Sequence, residues 1–227
     1  MGKGKLKKWK ENEKFDHVFE PPLQDAIDGT PFMKGEWRDK VFQNDRPIHL
    51  ELGCGKGEYT VGQARKYPEQ NFIGVDIKGH RFWRGAKISD QEGMNNVAFL
   101  RTRLEFINCF FDENEIDGVW LTFSDPQPKD EKGTKRITGP LFVERYKKFL
   151  KPGSFINVKT DSVLLYEWTL EQYQEKGYDI LLNSADVYGS FINEIDEELA
   201  ELLKIRTYYE SMWLEQGKKI HFIRIKV

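Results

Sequence analysis

Two cysteines, Cys54 and Cys109, are the only thiols in this sequence. So few, so far apart, exclude a disulfide framework and a cysteine zinc site, and suit a reducing compartment. No apolar run approaches the roughly twenty residues that a bilayer-crossing helix needs. The first residues are basic but lack the apolar stretch of a secretory signal. An excess of one charge is missing too: 35 Lys and Arg stand against 37 Asp and Glu, a formal net charge of −2. A general polyanion-binding surface is therefore not expected, and any nucleic-acid contact has to come from a local basic patch. The chain shows no internal repeat and no second core. A cytoplasmic location is expected.

The 227 residues, 39% hydrophobic and 14% aromatic, are enough for one α/β domain with extensions. Residues 1–47 read as a basic N-terminal arm and connector, and 48–227 as the domain. The arm carries Lys3, Lys5, Lys7, Lys8, Lys10 and Lys14 around Trp9. It is either a solvated tail or a strap along phosphates with Trp9 free to stack. From residue 48 the pattern alternates. Strands are predicted at 48–52, 71–76, 97–100, 116–123, 155–159, 180–182 and 220–227. Helices are predicted at 58–66, 81–89, 141–150 and 163–176. The alternation predicts a doubly wound, Rossmann-like fold with a mostly parallel seven-stranded sheet and an antiparallel C-terminal strand near an edge. Segment 193–203 reads as an amphipathic helix whose acidic outer face would repel RNA.

The most informative stretch runs from Ile48 to Tyr59: a strand, then Gly53, Gly55 and Gly57, then a helix. The dinucleotide fingerprint places its third glycine one residue later, where this chain has Glu58. Glu51, two residues before Gly53, would repel a pyrophosphate but attract a cation. The spacing is similar to the first motif of S-adenosylmethionine-dependent methyltransferases, whose ligand carries a sulfonium. A ligand-free strand-to-helix turn is the plain alternative. In doubly wound sheets ligands sit beyond the carboxyl ends of the strands. Glu51, Asp76, the turn at Arg103 and Asp125 all fall there. Asp76 suits the ribose hydroxyls, or else the N-cap of the next helix. In Phe123-Ser124-Asp125-Pro126-Gln127-Pro128-Lys129 two prolines fix the backbone after an acid at a strand end. A turn-stabilising Asp-Pro is the alternative there.

With these pieces in place the sequence resembles the bacterial tRNA (guanine-N7-)-methyltransferases. The matching motifs are the glycine loop, Asn71-Phe72-Ile73-Gly74-Val75-Asp76, Phe123-Ser124-Asp125-Pro126, Pro128-Lys129, Phe149-Leu150-Lys151-Pro152-Gly153, Lys159-Thr160-Asp161 and Thr207-Tyr208-Tyr209-Glu210. They run in the family's order from about residue 48 to the C-terminus. The resemblance implies S-adenosylmethionine as cofactor, no metal, and tRNA as partner. It places Glu51, Gly53, Gly55, Asp76, Arg103 and Asp125 around the cofactor, with Asp125 as the catalytic aspartate. Lys129, Asp161, Thr207, Tyr208, Tyr209 and Glu210 would hold the target nucleotide. The chain departs from the family at Gln127, where tryptophan is usual, and at Asp130-Glu131-Lys132-Gly133, where a basic run is usual. Arg103 replaces the acid that meets the adenine amino group.

Guanine N7 offers an in-plane lone pair and no proton, so alignment and charge stabilisation are what a protein has to supply. Asp125 is expected to accept from a guanine N–H or to stabilise the charge that builds on the ring. Asp161 and Glu210 are expected to read the N1–H and exocyclic amine. Lysines of the arm with Lys129, Lys132, Lys135 and Arg136 are candidates for a phosphate surface; Arg145, Lys147, Lys148 and Lys151 form a weaker set. An amino-group methyltransferase would want an aromatic residue after the prolines, and Gln127 is not one. A non-catalytic RNA-binding protein would not need both Glu51 and Asp125.

Overall fold

The computed structural model describes residues 3–227; Met1 and Gly2, the start of the lysine-rich arm, lie outside them. Eight strands form one sheet: β1 (Val18–Phe19), β2 (Ile48–Leu52), β3 (Asn71–Asp76), β4 (Val97–Arg101), β5 (Ile116–Thr122), β6 (Leu150–Thr160), β7 (Asp179–Ser184) and β8 (His221–Lys226). Their order is β1-β4-β3-β2-β5-β6-β8-β7. Every pair is parallel except those made by β8, which runs against β6 and β7. Strands β2, β3 and β5 are buried along nearly their whole lengths. Their sequences accordingly run apolar instead of alternating, as strands covered on both faces do.

Helices α1 (Lys3–Asn12), α2 (Leu23–Ile27), α3 (Glu58–Lys66), α4 (Gly79–Gln91), α5 (Pro140–Tyr146), α6 (Val163–Glu175), α7 (Glu197–Leu203) and α8 (Tyr208–Glu215) complete the order. On one face α5 and α6 bury Phe142, Val143, Tyr146, Tyr166 and Tyr173 against Leu50, Val75 and Val119. The other face takes α3 and α4 through Val61, Ala64, Phe82 and Ala86, and α7 through Leu199 and Leu203. Among the described residues no helix is long and apolar enough to cross a membrane.

The sheet has eight strands where seven are predicted from sequence. The extra one, β1, is two residues long, too short for a periodicity. Strand β8 sits one position in from the edge and is buried on both faces except at Arg224 and Lys226. The predicted helix 141–150 stops at Tyr146, because the chain begins pairing with β5 at once: Ile116 N donates to the Phe149 carbonyl at 3.0 Å. Only Glu197–Leu203 of the acidic segment is α-helical, its start capped by Asp196 accepting from Leu199 N at 2.7 Å.

The arm from Lys3 onward is a helix laid on α4. Asn12 Nδ2 donates to Glu20 Oε1 at 2.9 Å and to the Gly79 carbonyl at 3.1 Å, and Trp83 Nε1 donates to Glu11 at 2.6 Å. Trp9 stands edge-on to His80 with Arg101 against its ring, so it is not a free stacking platform. Trp37 is fully buried, donating to the Phe110 carbonyl at 2.7 Å. Residues ahead of β2 therefore supply a strand and part of the core.

Candidate functional site

The chain leaves β2 toward β3 on one side and reaches β5 on the other, so strand order switches between β2 and β5. Beyond the carboxyl ends of those strands lies a cavity of about 380 Å³, where the topology of such sheets puts a ligand. Glu51, Gly53, Gly55, Asp125, Thr207 and Tyr209 all line it. Glu51 is only 2% exposed. It accepts from Thr60 N at 2.8 Å, from the Thr60 hydroxyl, and from the Thr122 hydroxyl across the switch. A carboxylate has about four acceptor sites, and these three bonds leave one uncommitted. Burial pushes its pKa up to about 7, against the pull of the two threonines. A cationic group placed here would find a carboxyl ready to ionise.

The glycine loop keeps its backbone open to a ligand. A Cβ on Gly57, which has φ +72°, would stand 2.6 Å from the Phe99 ring, so only glycine closes the turn into α3. Beside Gly55 there is open space, and its N–H donates to Asp76 Oδ2 at 3.0 Å. The other oxygen, Asp76 Oδ1, accepts from Lys78 N at 2.8 Å. Asp76 thus ties the loop to the start of α4 and keeps acceptor capacity for hydroxyls; burial raises its pKa, opposed by those two N–H bonds. The next residue, Ile77, is 52% exposed and shares a smaller cavity of about 230 Å³ with Pro21, Pro22, Arg103 and Phe110. Arg103 itself points to solvent and pairs with Glu105 at 2.9 Å. The free donors, the two buried carboxyls and this apolar slot together suit a ligand with a cationic end, hydroxyls and a flat apolar ring, as S-adenosylmethionine has. Among the described residues no group of three or more His, Cys, Asp or Glu could hold a metal.

The Asp125 loop leaves β5 under strain. Phe123 and Gln127 take φ of 51° and 46°, a left-handed conformation costing about 1–2 kcal/mol in a residue with a Cβ. Asp125 is exposed, with one oxygen accepting from Gln127 N at 2.9 Å. Lys129 is exposed on the same loop. Asp161 at the end of β6 pairs with Lys218 at 3.2 Å.

Opposite stands the start of α8. Thr207 caps it, accepting from Glu210 N at 3.2 Å while Glu210 accepts from Thr207 N, a reciprocal capping box. Tyr208 N donates to Glu58 at 2.9 Å, and the Lys56 ammonium lies 4.3 Å and 4.8 Å from the ring centres of Tyr208 and Tyr209. Tyr209 stacks on Trp213, which meets Phe123. The two tyrosines are half exposed and form an aromatic lip.

Glu210 does not join the nucleotide-facing set. It is fully buried, paired with Lys159 at 2.7 Å and accepting from the Tyr188 hydroxyl at 2.7 Å. Lys159, also fully buried, donates to the Leu203 and Ile205 carbonyls as well. Burial lowers its pKa, opposed by Glu210. Arg136 leaves the phosphate surface for a similar reason, being 5% exposed. Lys147, Lys148 and Lys151 line a cavity beside Leu150, at the amino end of β6. The length of β5, about 20 Å at 3.3 Å per residue, separates them from Asp125. Sequence reading passes over Lys56, Glu58, Thr122 and Trp213, which line the main cavity. The charged pair inside the glycine motif is the available signal for the first two; the others carry none.

The profile of a family described as "Putative methyltransferase" matches residues 45–223. Over 225 residues the chain is 49% identical to a tRNA (guanine-N(7)-)-methyltransferase of Bacteroides fragilis, covering 99% of this chain and 86% of that one. It is 47% identical to the enzyme of that name from Christiangramia forsetii, covering 99% and 98%. Among solved structures, the 16S rRNA methyltransferase KamB aligns with a TM-score of 0.62 at 14% identity, over 87% of this chain and 95% of that one. An S-adenosylmethionine-dependent methyltransferase from Aquifex aeolicus gives 0.54 at 15%, over 96% and 97%. At those identities the two structures share the fold. By its sequence relatives the chain belongs to the tRNA (guanine-N(7)-)-methyltransferase family.

Proposed function

We propose that the protein methylates N7 of a guanosine in the variable loop of tRNA. Residues 48–227 carry the proposed catalytic site, and residues ahead of 48 complete the same sheet and core. One observation carries the reading: the cavity at the switch point is lined by the glycine loop and Glu51 together with Asp125 and, at the start of α8, Thr207 and Tyr209. When bound, S-adenosylmethionine supplies a methyl group already activated by positive sulfur. The protein's part is alignment and electrostatics, since N7 loses no proton and calls for neither a base nor a metal.

In this reading Glu51 binds the cationic amino acid end of the cofactor and Asp76 the ribose hydroxyls, while Ile77 and the backbone near Arg103 hold the adenine. Asp125 keeps one oxygen free of Gln127 N. That oxygen accepts from guanine or faces the positive charge that grows on the ring. Asp161 reads the N1–H and amino edge, and Tyr208, Tyr209 and Lys129 hold the nucleotide. Glu210 acts one step removed, by fixing the Thr207 turn, because its own carboxylate is committed to Lys159. Unstacked bases are the usual targets on RNA, and exposed Lys129, Lys132 and Lys135 are open to phosphates.

Incubation with labelled cofactor and total tRNA, followed by nuclease digestion and chromatography, tests this. The expected product is 7-methylguanosine. Label on an exocyclic amine would favour the amino-group reading. Cofactor binding without transfer would favour a non-catalytic RNA-binding protein.

A further inference from the structure

The segment between Asp125 and α5 closes onto α6, and the contacts are specific. Gly133 and Gly139 lie so close to Trp168 that a Cβ on either would stand 2.0 Å and 2.9 Å from the indole. Thr138 shares a hydrogen bond with Thr169 at 2.8 Å, and the Tyr173 hydroxyl donates to the Thr138 carbonyl at 2.8 Å. Asp130 accepts from Lys135 N at 2.6 Å inside the turn. Arg136 lies at the centre of this packing, its guanidinium 4.3 Å from the Trp168 ring centre.

Arg136 Nε donates to the Pro126 carbonyl at 3.0 Å. That carbonyl belongs to the same peptide unit as the Gln127 N–H, and the unit is planar. Its oxygen is held by Arg136 while its N–H points at Asp125 Oδ1, 2.9 Å away. Rotating the plane would move the N–H off the carboxylate. Gln127 resists nothing by itself, since its left-handed φ is already unfavourable.

We infer that Arg136 and Trp168 are positioning residues for methyl transfer: the guanidinium held over the indole fixes the Pro126–Gln127 peptide plane, and that plane aims the Asp125 carboxylate into the cleft. The inference rests on the role proposed for Asp125. Arginine suits the place because its guanidinium lies over the indole while the separate Nε donates to Pro126, two positions that a lysine's single ammonium cannot fill together. A phosphate contact, by contrast, would survive Arg136→Lys.

The test uses the full chain with Arg136→Lys, Trp168→Phe and the double variant. Single-turnover methylation is measured at saturating cofactor and tRNA, beside tRNA affinity and calorimetric cofactor affinity. A misplacement on the order of 1 Å is worth up to a hundredfold in rate. The expected result for Arg136→Lys is a tenfold to hundredfold slower transfer, with both affinities within about threefold of wild type. Trp168→Phe is slower in the same direction. The double variant is no slower than the worse single one, because the two residues act as a unit. Thr138→Val removes a loop anchor that does not touch Pro126. If it slows transfer as much as Arg136→Lys, loop anchorage in general is responsible and the assignment falls. Additive losses, or weaker tRNA binding at an unchanged saturated rate, overturn it as well. Should Arg136→Lys not fold, Trp168→Phe carries the same comparison. Asp125→Ala is run alongside: if that variant keeps full activity the proposed function of Asp125 fails, whereas its collapse with Arg136→Lys unaffected sinks the inference alone.

Discussion

Cofactor binding should displace a proton from Glu51. Burial lifts this carboxyl from 4.5 to about 7, and at 1.36 kcal/mol per unit the ionised form is disfavoured by about 3 kcal/mol. The sign follows from proton counts. Between about pH 4.5 and 7 the folded protein holds a proton that the unfolded chain has released, so this group's contribution to stability declines as pH rises through that window. A ligand that brings positive charge to the same wall favours the carboxylate and reverses the preference. Affinity for S-adenosylmethionine should then rise between pH 5 and 7, by roughly a hundredfold at most, since the recoverable free energy is those same few kcal/mol.

Calorimetry at pH 6 in two buffers of different ionisation enthalpy measures the effect directly. With a pKa near 7, Glu51 is about 90% protonated there, and approaching one proton should leave per cofactor bound. Glu51→Gln keeps an acceptor oxygen for one threonine and offers the other hydroxyl an amide donor, but has nothing to titrate. Its binding should release no proton and show no slope below pH 7, with weaker affinity at pH 7. Working below pH 7.5 avoids the ligand's own amino group. A wild-type protein that binds cofactor at pH 6 without proton release, or a Gln variant with an unchanged slope, would refute the reasoning.

Asp125→Ala should slow saturated methyl transfer by a hundredfold or more while calorimetric cofactor affinity stays within a few-fold; near-normal turnover removes Asp125 from the chemistry. Glu210→Gln leaves Lys159 buried without its partner and should cost about 3–5 kcal/mol in urea unfolding, and a loss under about 1 kcal/mol would show that the pair is not needed for folding. Gly57→Ala puts a Cβ 2.6 Å from Phe99 at φ +72°; it should cost at least about 2 kcal/mol and weaken cofactor binding, and a neutral result would mean the loop can relax. Replacing exposed Lys5, Lys7 and Lys10 by Gln leaves the α1–α4 packing in place. It should lower the salt slope of tRNA binding by about 0.7–0.9 for each phosphate that is no longer neutralised; an unaltered slope makes that helix face a solvated one.

The glycine motif is legible because its residue types answer to backbone geometry. Strands β2 and β3 and helix α3 fall on the residues the pattern predicts, and Glu51, Gly53, Gly55 and Asp125 come together as that pattern requires. Thr207-x-x-Glu210 holds more than a nucleotide-binding segment. It is the S/T-x-x-E signature of a helix start, and a reading that assigns both residues to the nucleotide hides the cap that they form. Lys159 is not readable: a lysine in a strand is ordinarily a solvated edge residue. What buries this one is a carboxylate 51 positions later, with one carbonyl at the end of α7 and another just beyond it. Arg136 escapes the sequence in the same way, because its surroundings depend on Trp168 and two glycines packed against it.

Packing within residues 127–136 takes up much of that stretch's polar capacity. Asp130 takes up Lys135 N and lies 3.5 Å from the Thr134 hydroxyl. Gln127 contributes its N–H to Asp125. Arg136 is withdrawn from solvent to hold Pro126. Arg136, which could otherwise have enlarged a basic surface, is taken up in shaping the loop that carries Asp125. The positive charge left at this rim is Lys129, Lys132 and Lys135, against exposed Glu131. In the proposed reading recognition is divided: fixed groups inside the cleft choose the base, and exposed lysines on the loop and on α1 meet the phosphates. For a chain with a net charge of −2, that division concentrates affinity in a few removable contacts and places specificity where salt cannot screen it.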